Sequence, residues 1–305
     1  MSLRSLRHAV GRSVTAVVAG TLLCALVTGP AAATTAPPPD AQDSIAAAQA
    51  EQSTGLVGAN DWSCKPSAAH PDPVVLVHGT FVVGAVNWVP IAALLTSRGY
   101  CVFSLDYGWT DVPLIPGLAP IPQSAARLET FVDGVLAATG AKKVDIVGHS
   151  QGGLMPRYYL KFLGGAAKTN AFVALAPTSH GTTLSGIATL LEAIPGAPQA
   201  VLGSWCPACL DQATGSPFLT NLNAGGDTVP GVDYTVLSSI YDFVATPVQS
   251  QFLSGPDVHN ILLQDDCVLD TALHTTIQID PVAEHEILNA LDPAHASYTG
   301  CRLFP

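Results

Sequence analysis

Six short apolar runs constrain this chain more than any other feature. They are "PVVLVHG" (73–79), "YCVFSLDY" (100–107), "KVDIVGH" (143–149), "AFVALA" (171–176), "DYTVLSS" (233–239) and "VHNILLQ" (258–264). Each is nearly continuous in Val, Ile, Leu and Phe, which reads as a strand buried on both faces. Helical stretches are expected between and after them, near 87–98, 121–139, 152–164 and 282–291. This alternation predicts an α/β fold, with a reduced, mostly parallel central sheet of about six strands, flanking helices and right-handed crossovers. Reactive groups then belong on loops at the carboxyl ends of the strands.

With 305 residues, 48% of them hydrophobic, the chain can fill a substantial core. Its 12 Lys and Arg against 23 Asp and Glu argue against nucleic acid or anionic membrane surfaces as partners. Neutral or apolar molecules fit that balance better.

The first residues read as an export signal rather than as fold. Arg4, Arg7 and Arg12 precede the apolar run "SVTAVVAGTLLCALVTG", and the small residues "PAAATTA" follow it. The run is short for a bilayer span, so cleavage near Ala31–Ala33 is expected, leaving no stable membrane anchor. The expected organisation is a signal peptide at 1–33, a disordered, solvated tail at 34–60 and a catalytic domain at 61–305. The mature protein is expected to be extracellular.

Beyond Cys24 there are six cysteines, an even count that in an exported chain suggests three disulfides among fifteen possible connectivities. Cys206 and Cys209 in "WCPACL" read as a local bridge, because no second ligand pair completes a metal site. The other four can pair as Cys64–Cys101 and Cys267–Cys301, tying chain ends to strands; the sequence leaves other pairings open.

Two weakly charged stretches break the strand–helix rhythm: the proline-punctuated 108–122 and the long insertion 182–226. They read equally as secondary core or as walls and lid of an apolar pocket.

The third run leads into "GHSQG", a G-x-S-x-G pattern with a strand before it and a helix after it. That context makes it a nucleophile elbow: Ser150 occupies a strained turn, and Gly148 and Gly152 leave room where a Cβ would clash. The turn also places the hydroxyl at a helix N-terminus, which favours a developing anion.

A serine hydroxyl needs a base and an acid, expected in the chain order serine, acid, histidine. His274 lies on the loop after the last strand, whereas His259 sits within that strand and His285 and His295 fall in or beyond a helix. His149 is expected to point away from the serine. Asp242, just past the fifth run, is the favoured acid over Asp227, Asp233, Asp257, Asp265, Asp266 and Asp270. The oxyanion formed on attack requires donors, expected from the backbone N–H of Gln151 and from Thr80 in "VHGTF", through its N–H and hydroxyl.

Together "VHGTF", "YCVFSLDYG", "IVGHSQGG", "LAPTSHGTT", "YDFVATP" and "LQDDCVLDTALH…IDPVAEHEILNALDP" resemble the secreted lipase/esterase family of actinomycete bacteria. That family belongs to the α/β-hydrolase superfamily and is distantly similar to the yeast lipase B type. The resemblance spans about Trp62 to Pro293. It implies a triad of Ser150, Asp242 and His274, oxyanion donors at Thr80 and Gln151, and a structural role for His180. It further implies hydrolysis of carboxylic esters, often acylglycerols, with no cofactor; no metal is expected, because the sequence carries no ligand cluster, and a monomer acting on apolar esters is expected. A polyesterase or acyltransferase could use the same site, and a silent binding module of the same fold would require a lost triad member.

Overall fold

A computed structural model describes residues 39–183, 185 and 196–302. The chain runs through α1 (Pro39–Ala50), β1 (Val74–Val77), α2 (Gly84–Asn87), α3 (Val89–Ser97), β2 (Val102–Leu105), α4 (Ile121–Thr139), β3 (Val144–His149) and α5 (Met155–Phe162). It continues through β4 (Thr169–Leu175), α6 (Ala197–Leu202), α7 (Pro207–Asp211), α8 (Pro217–Asn223), β5 (Asp233–Ser238), β6 (Val258–Leu262), α9 (Leu263–Asp266) and α10 (Pro281–Leu291). The six strands are the six apolar runs. They form one parallel sheet in the order β2-β1-β3-β4-β5-β6.

Burial on both faces explains the continuous apolar runs. Successive residues of a strand point to opposite sides. Val75, Val77, Ile146, Phe172 and Ala174 pack with α4 and α5 through Leu128, Phe131, Met155 and Tyr159. Val74, Leu76, Val147, Val173 and Leu175 pack on the other face with Ile91 and Leu95 of α3 and Val282 and Ile287 of α10. The order reverses between β1 and β3, since β2 lies to one side of β1 and every later strand to the other. The crevice above their carboxyl ends is where such sheets place a site. Gly79, Thr80 and Ser150 lie there.

The expected tail at 34–60 needs correction for its described part. Residues 39–50 form α1, which packs along α4: Ala48 is fully buried, and a Cβ at Gly134 would collide with it. Beyond α1, Ser53 N–H donates to Ser104 O at 2.8 Å, and Leu56 is buried. The more exposed positions of α1 alternate with Ala41, Ser44, Ile45 and Ala48, spaced along one helical face. Ala41, Ser44 and Ala48 on that face allow close helix approach without raising hydropathy, so composition alone suggested a solvated tail. The expected signal at 1–33 lies outside the described residues.

The helix expected at 87–98 is α3 (Val89–Ser97), preceded by the short α2 and separated from it at Trp88. That expected at 152–164 is preceded by a 3-10 turn at Ser150–Gly153. Disulfides join Cys64–Cys101, Cys206–Cys209 and Cys267–Cys301.

Candidate active site

β3 delivers Ser150 into a turn that non-glycine residues seldom adopt. Its φ is 56°, in the left-handed region. The turn is tight because the backbone beneath it is closely packed: a Cβ on Gly148 would strike the Gly152 carbonyl oxygen, and one on Gly152 would strike the carbonyls of Val77 and His78. The two glycines therefore let β3, the turn at Ser150–Gly153 and the end of β1 meet.

Three loops distant in sequence converge on that serine. His274 Nε2 lies 2.9 Å from Ser150 Oγ, and its Nδ1 lies 2.8 Å from Asp242 Oδ2. The carboxylate fixes the tautomer: Nδ1–H donates to it, leaving the Nε2 lone pair toward the hydroxyl. Asp242 is held in turn by Val244 N–H and Ala245 N–H on Oδ1, at 2.7 and 2.9 Å, and by Gln251 Nε2 on Oδ2 at 3.0 Å. Both His274 and Asp242 are buried. An imidazole so placed can take the serine proton.

The competing side chains have other partners. Asp270 accepts from Ala272 N–H and shapes the loop that carries His274. Asp227 pairs with Arg157 and with His180 Nε2, at 3.4 and 3.1 Å. That contact gives His180 a scaffold position, and its hydrogen bond to Asp227 raises its pKa above the ordinary histidine value. His259 is exposed on the edge strand β6.

Thr80 stands at the rim of the same turn. Its Oγ1 accepts from Gln151 Nε2 at 3.2 Å and from Gln212 Nε2 at 3.1 Å. The loop behind it is fixed by buried His78, whose Nδ1–H donates to Gly79 O at 2.7 Å while Nε2 accepts from Tyr107 N–H at 3.2 Å. Burial lowers the pKa of His78 to about 4, so it holds this position as a neutral ring. Tyr107 stacks on that ring and donates its hydroxyl to His78 O.

His149 does more than point away from the serine. Its Nε2–H donates to the main-chain oxygen of His274 at 2.8 Å, and the two rings lie 5.0 Å apart. Its unprotonated Nδ1 lies 3.1 Å from Asn87 Oδ1, the oxygen that accepts Gly79 N–H at 3.2 Å. Burial, reinforced by nearby His274, pushes the His149 pKa down to about 3. Asn87, Gln251 and Gln212 carry no motif signal, and His149 fills a position that the G-x-S-x-G pattern leaves open. Only their spatial neighbours identify them.

A cavity of about 760 Å³ opens over Ser150 and His274, walled by Phe81, Val86, Leu202, Trp205, Leu210 and Val244 among others. Its lining is mostly apolar, and Phe81, Val86 and Trp205 are also substantially solvent-exposed at its mouth. The insertion 182–226 thus supplies wall residues through α6 and α7; residues 184 and 186–195 lie outside the described residues. Segment 108–122 contributes none of the described lining. It buttresses from behind instead, since Gly117 O accepts from Gln151 Nε2 at 2.9 Å and Pro116 O from Phe81 N–H. Among the described residues no cluster of three or more His, Cys, Asp or Glu side chains is placed to hold a metal ion.

Comparison with known proteins agrees with this architecture. The family described as "Lipase (class 2)" matches residues 71–285. The chain is 28% identical to Lipase B of Pseudozyma antarctica over 198 residues, covering 60% of this chain and 54% of that protein. It is 38% identical to a triacylglycerol lipase of Pseudarthrobacter phenanthrenivorans over 96 residues, 30% of this chain and 28% of the relative. The match therefore spans about half of the first relative's length and less of the second. Among solved structures, Aspergillus fumigatus lipase B superposes with a TM-score of 0.59 at 20% identity, covering 81% of this chain and 62% of that one. The monoacylglycerol lipase of Paleococcus ferrophilus superposes with a TM-score of 0.51 at 17% identity, covering 77% and 98%. At these identities the structural likeness concerns the fold.

Proposed function

The chain belongs to the class 2 lipase family, and from that premise we propose that it hydrolyses carboxylic esters of apolar acids, acylglycerols in particular, through an acyl-enzyme on Ser150. The observation that carries this reading is the unbroken chain from Ser150 Oγ to His274 to Asp242, at 2.9 and 2.8 Å, on the floor of an apolar cavity.

Ser150 Oγ attacks the ester carbonyl carbon while His274 Nε2 takes its proton. The imidazolium is stabilised by Asp242 across Nδ1–H. The carbonyl oxygen becomes an oxyanion that meets the N–H groups of Thr80 and Gln151 and the Thr80 hydroxyl; one such donor is worth about 3 kcal/mol. The C–O bond to the alcohol breaks, and the alcohol leaves with the proton from His274. Water then attacks the acyl-enzyme, giving its proton to His274, and the acid departs as Ser150 recovers its hydroxyl proton.

Export of the protein, with cleavage near Ala31–Ala33 and a catalytic body beginning by Pro39, is part of this proposal. Three disulfides support it, since such bonds persist in oxidising compartments. Among the described residues no helix is long and apolar enough to cross a membrane.

A chain-length series of p-nitrophenyl esters, with tributyrin, triolein and a solid polyester alongside, tests the substrate class. The expected result is kcat/KM rising from acetate to medium chains, with acylglycerols cleaved. A steady fall beyond acetate would replace the lipase reading with a small-ester esterase, and preference for the polymer would favour a polyesterase.

A further inference from the structure

The Thr80 hydroxyl has one proton and two lone pairs, and its surroundings decide which faces the substrate. Two side-chain amides donate to the oxygen, Gln151 Nε2 at 3.2 Å and Gln212 Nε2 at 3.1 Å. Neither amide can be turned round without conflict. Gln151 Nε2 also donates to Gly117 O at 2.9 Å, and Gln212 Nε2 to Ala208 O at 3.1 Å. A carbonyl accepts only, so in both side chains the NH₂ end is fixed beside Thr80. Gln212 is anchored further by Thr178, whose hydroxyl donates to Oε1 at 3.0 Å.

Both lone pairs of the Thr80 oxygen are thereby occupied from the protein side. Among the described residues its proton has no acceptor, and Thr80 lines the cavity over Ser150. We propose that Gln212, with the Gln151 side chain, is a positioning residue that makes the Thr80 hydroxyl an obligate donor to the oxyanion. This rests on the reading of Ser150 as an acylated nucleophile. Gln212 itself, the residue following α7, is buried and need not touch the reacting atoms. Its effect is preorganisation: the donor is aimed before charge develops, so no reorientation accompanies the reaction.

The test is a double-mutant cycle on the full chain with p-nitrophenyl butyrate, comparing wild type, Thr80→Val, Gln212→Met and the double variant. Thr80→Val is expected to lower kcat by about 10²-fold with KM little changed. Gln212→Met is expected to lower kcat by about 10-fold in the wild-type background and by less than 2-fold in the Thr80→Val background, because its effect passes through the hydroxyl. Equal losses in both backgrounds, or no loss in either, would overturn the proposal and leave Gln212 a packing residue.

Gln212→Glu covers the case in which the methionine variant does not fold. A carboxylate there would draw the Thr80 proton away and turn a lone pair toward the oxyanion, so kcat is expected at or below that of Thr80→Val. Wild-type kcat in Gln212→Glu would also overturn it. Labelling of Ser150 by a fluorophosphonate separates the two failures. A labelled, ester-cleaving wild type with additive mutants removes only the role of Gln212; an unlabelled, inactive wild type removes the reading beneath it.

Discussion

His149 Nε2–H reaches the main-chain oxygen of His274 at 2.8 Å, so the residue before Ser150 holds the loop that carries the His274 imidazole. A positional error of about 1 Å in a reacting group can lower a rate by about 10²-fold. His149→Phe keeps a flat ring in the cavity wall but loses this donor. It is expected to reduce kcat by about 10- to 100-fold with KM nearly constant, measured by steady-state hydrolysis of p-nitrophenyl butyrate. An unchanged kcat would show that the His274 loop needs no such tether.

Asp242 receives two backbone amides, the Gln251 amide and the His274 imidazole. Asp242→Asn preserves the acceptor for the two backbone N–H groups but favours the wrong imidazole tautomer. Activity is expected to fall by about 10⁴-fold while the melting temperature changes little. Gln251→Leu removes one of four bonds to the carboxylate and should cost far less, about 10-fold.

Stability should depend on pH through a buried carboxyl far from the site. Asp145 on β3 has its pKa pushed up to about 7 by burial, against the hydrogen bonds it accepts from Asn170 Nδ2 and Ala171 N–H. The unfolded chain releases this proton near the ordinary value of 3.8, so between the two values the folded state binds more protons. The associated stability is present in full below about 3.8 and is lost as pH rises through about 7. Asp280, raised to about 6 by burial, acts in the same direction. Thermal melts should therefore fall across this window, and Asp145→Asn should flatten the slope. An equal slope in the variant would locate the dependence elsewhere.

The disulfides should differ in importance. Cys64–Cys101 and Cys267–Cys301 close loops of 37 and 34 residues, and Cys206–Cys209 one of 3. Chain entropy assigns about 4 kcal/mol to each long loop and less than about 2 kcal/mol to the short one. Serine replacement of either long-range pair should lower the melting temperature well beyond replacement of the Cys206–Cys209 pair. Cys209 lines the cavity, so the latter change is expected to act mainly on KM.

What the sequence carried and what it did not follow a physical division. The six strands were legible because two-sided burial writes a nearly continuous apolar run. Ser150 was legible because its turn demands Gly148 and Gly152 at fixed positions. His274 and Asp242 were picked out by chain order and by their place on loops after strands, and the fold brings both side chains to Ser150. Helix α1 was hidden because a face of Ala41, Ser44, Ile45 and Ala48 carries little hydropathy while still fitting against Gly134. His149, Asn87, Gln212 and Gln251 were hidden for another reason: their partners lie far away in the chain, and a hydrogen bond between distant loops leaves no spacing to read. The segment 108–122, apolar enough for a pocket wall, proved to stand behind the Thr80 loop.

The most direct measurement is covalent. Folded protein is treated with a fluorophosphonate ester, and the modified residue is located by mass spectrometry in wild type, Ser150→Ala and His274→Ala. One adduct on Ser150 is predicted for the wild type, none for Ser150→Ala, and a rate lower by at least about 10³-fold for His274→Ala. A folded wild type that stays unmodified, or one labelled equally fast without His274, would contradict the account.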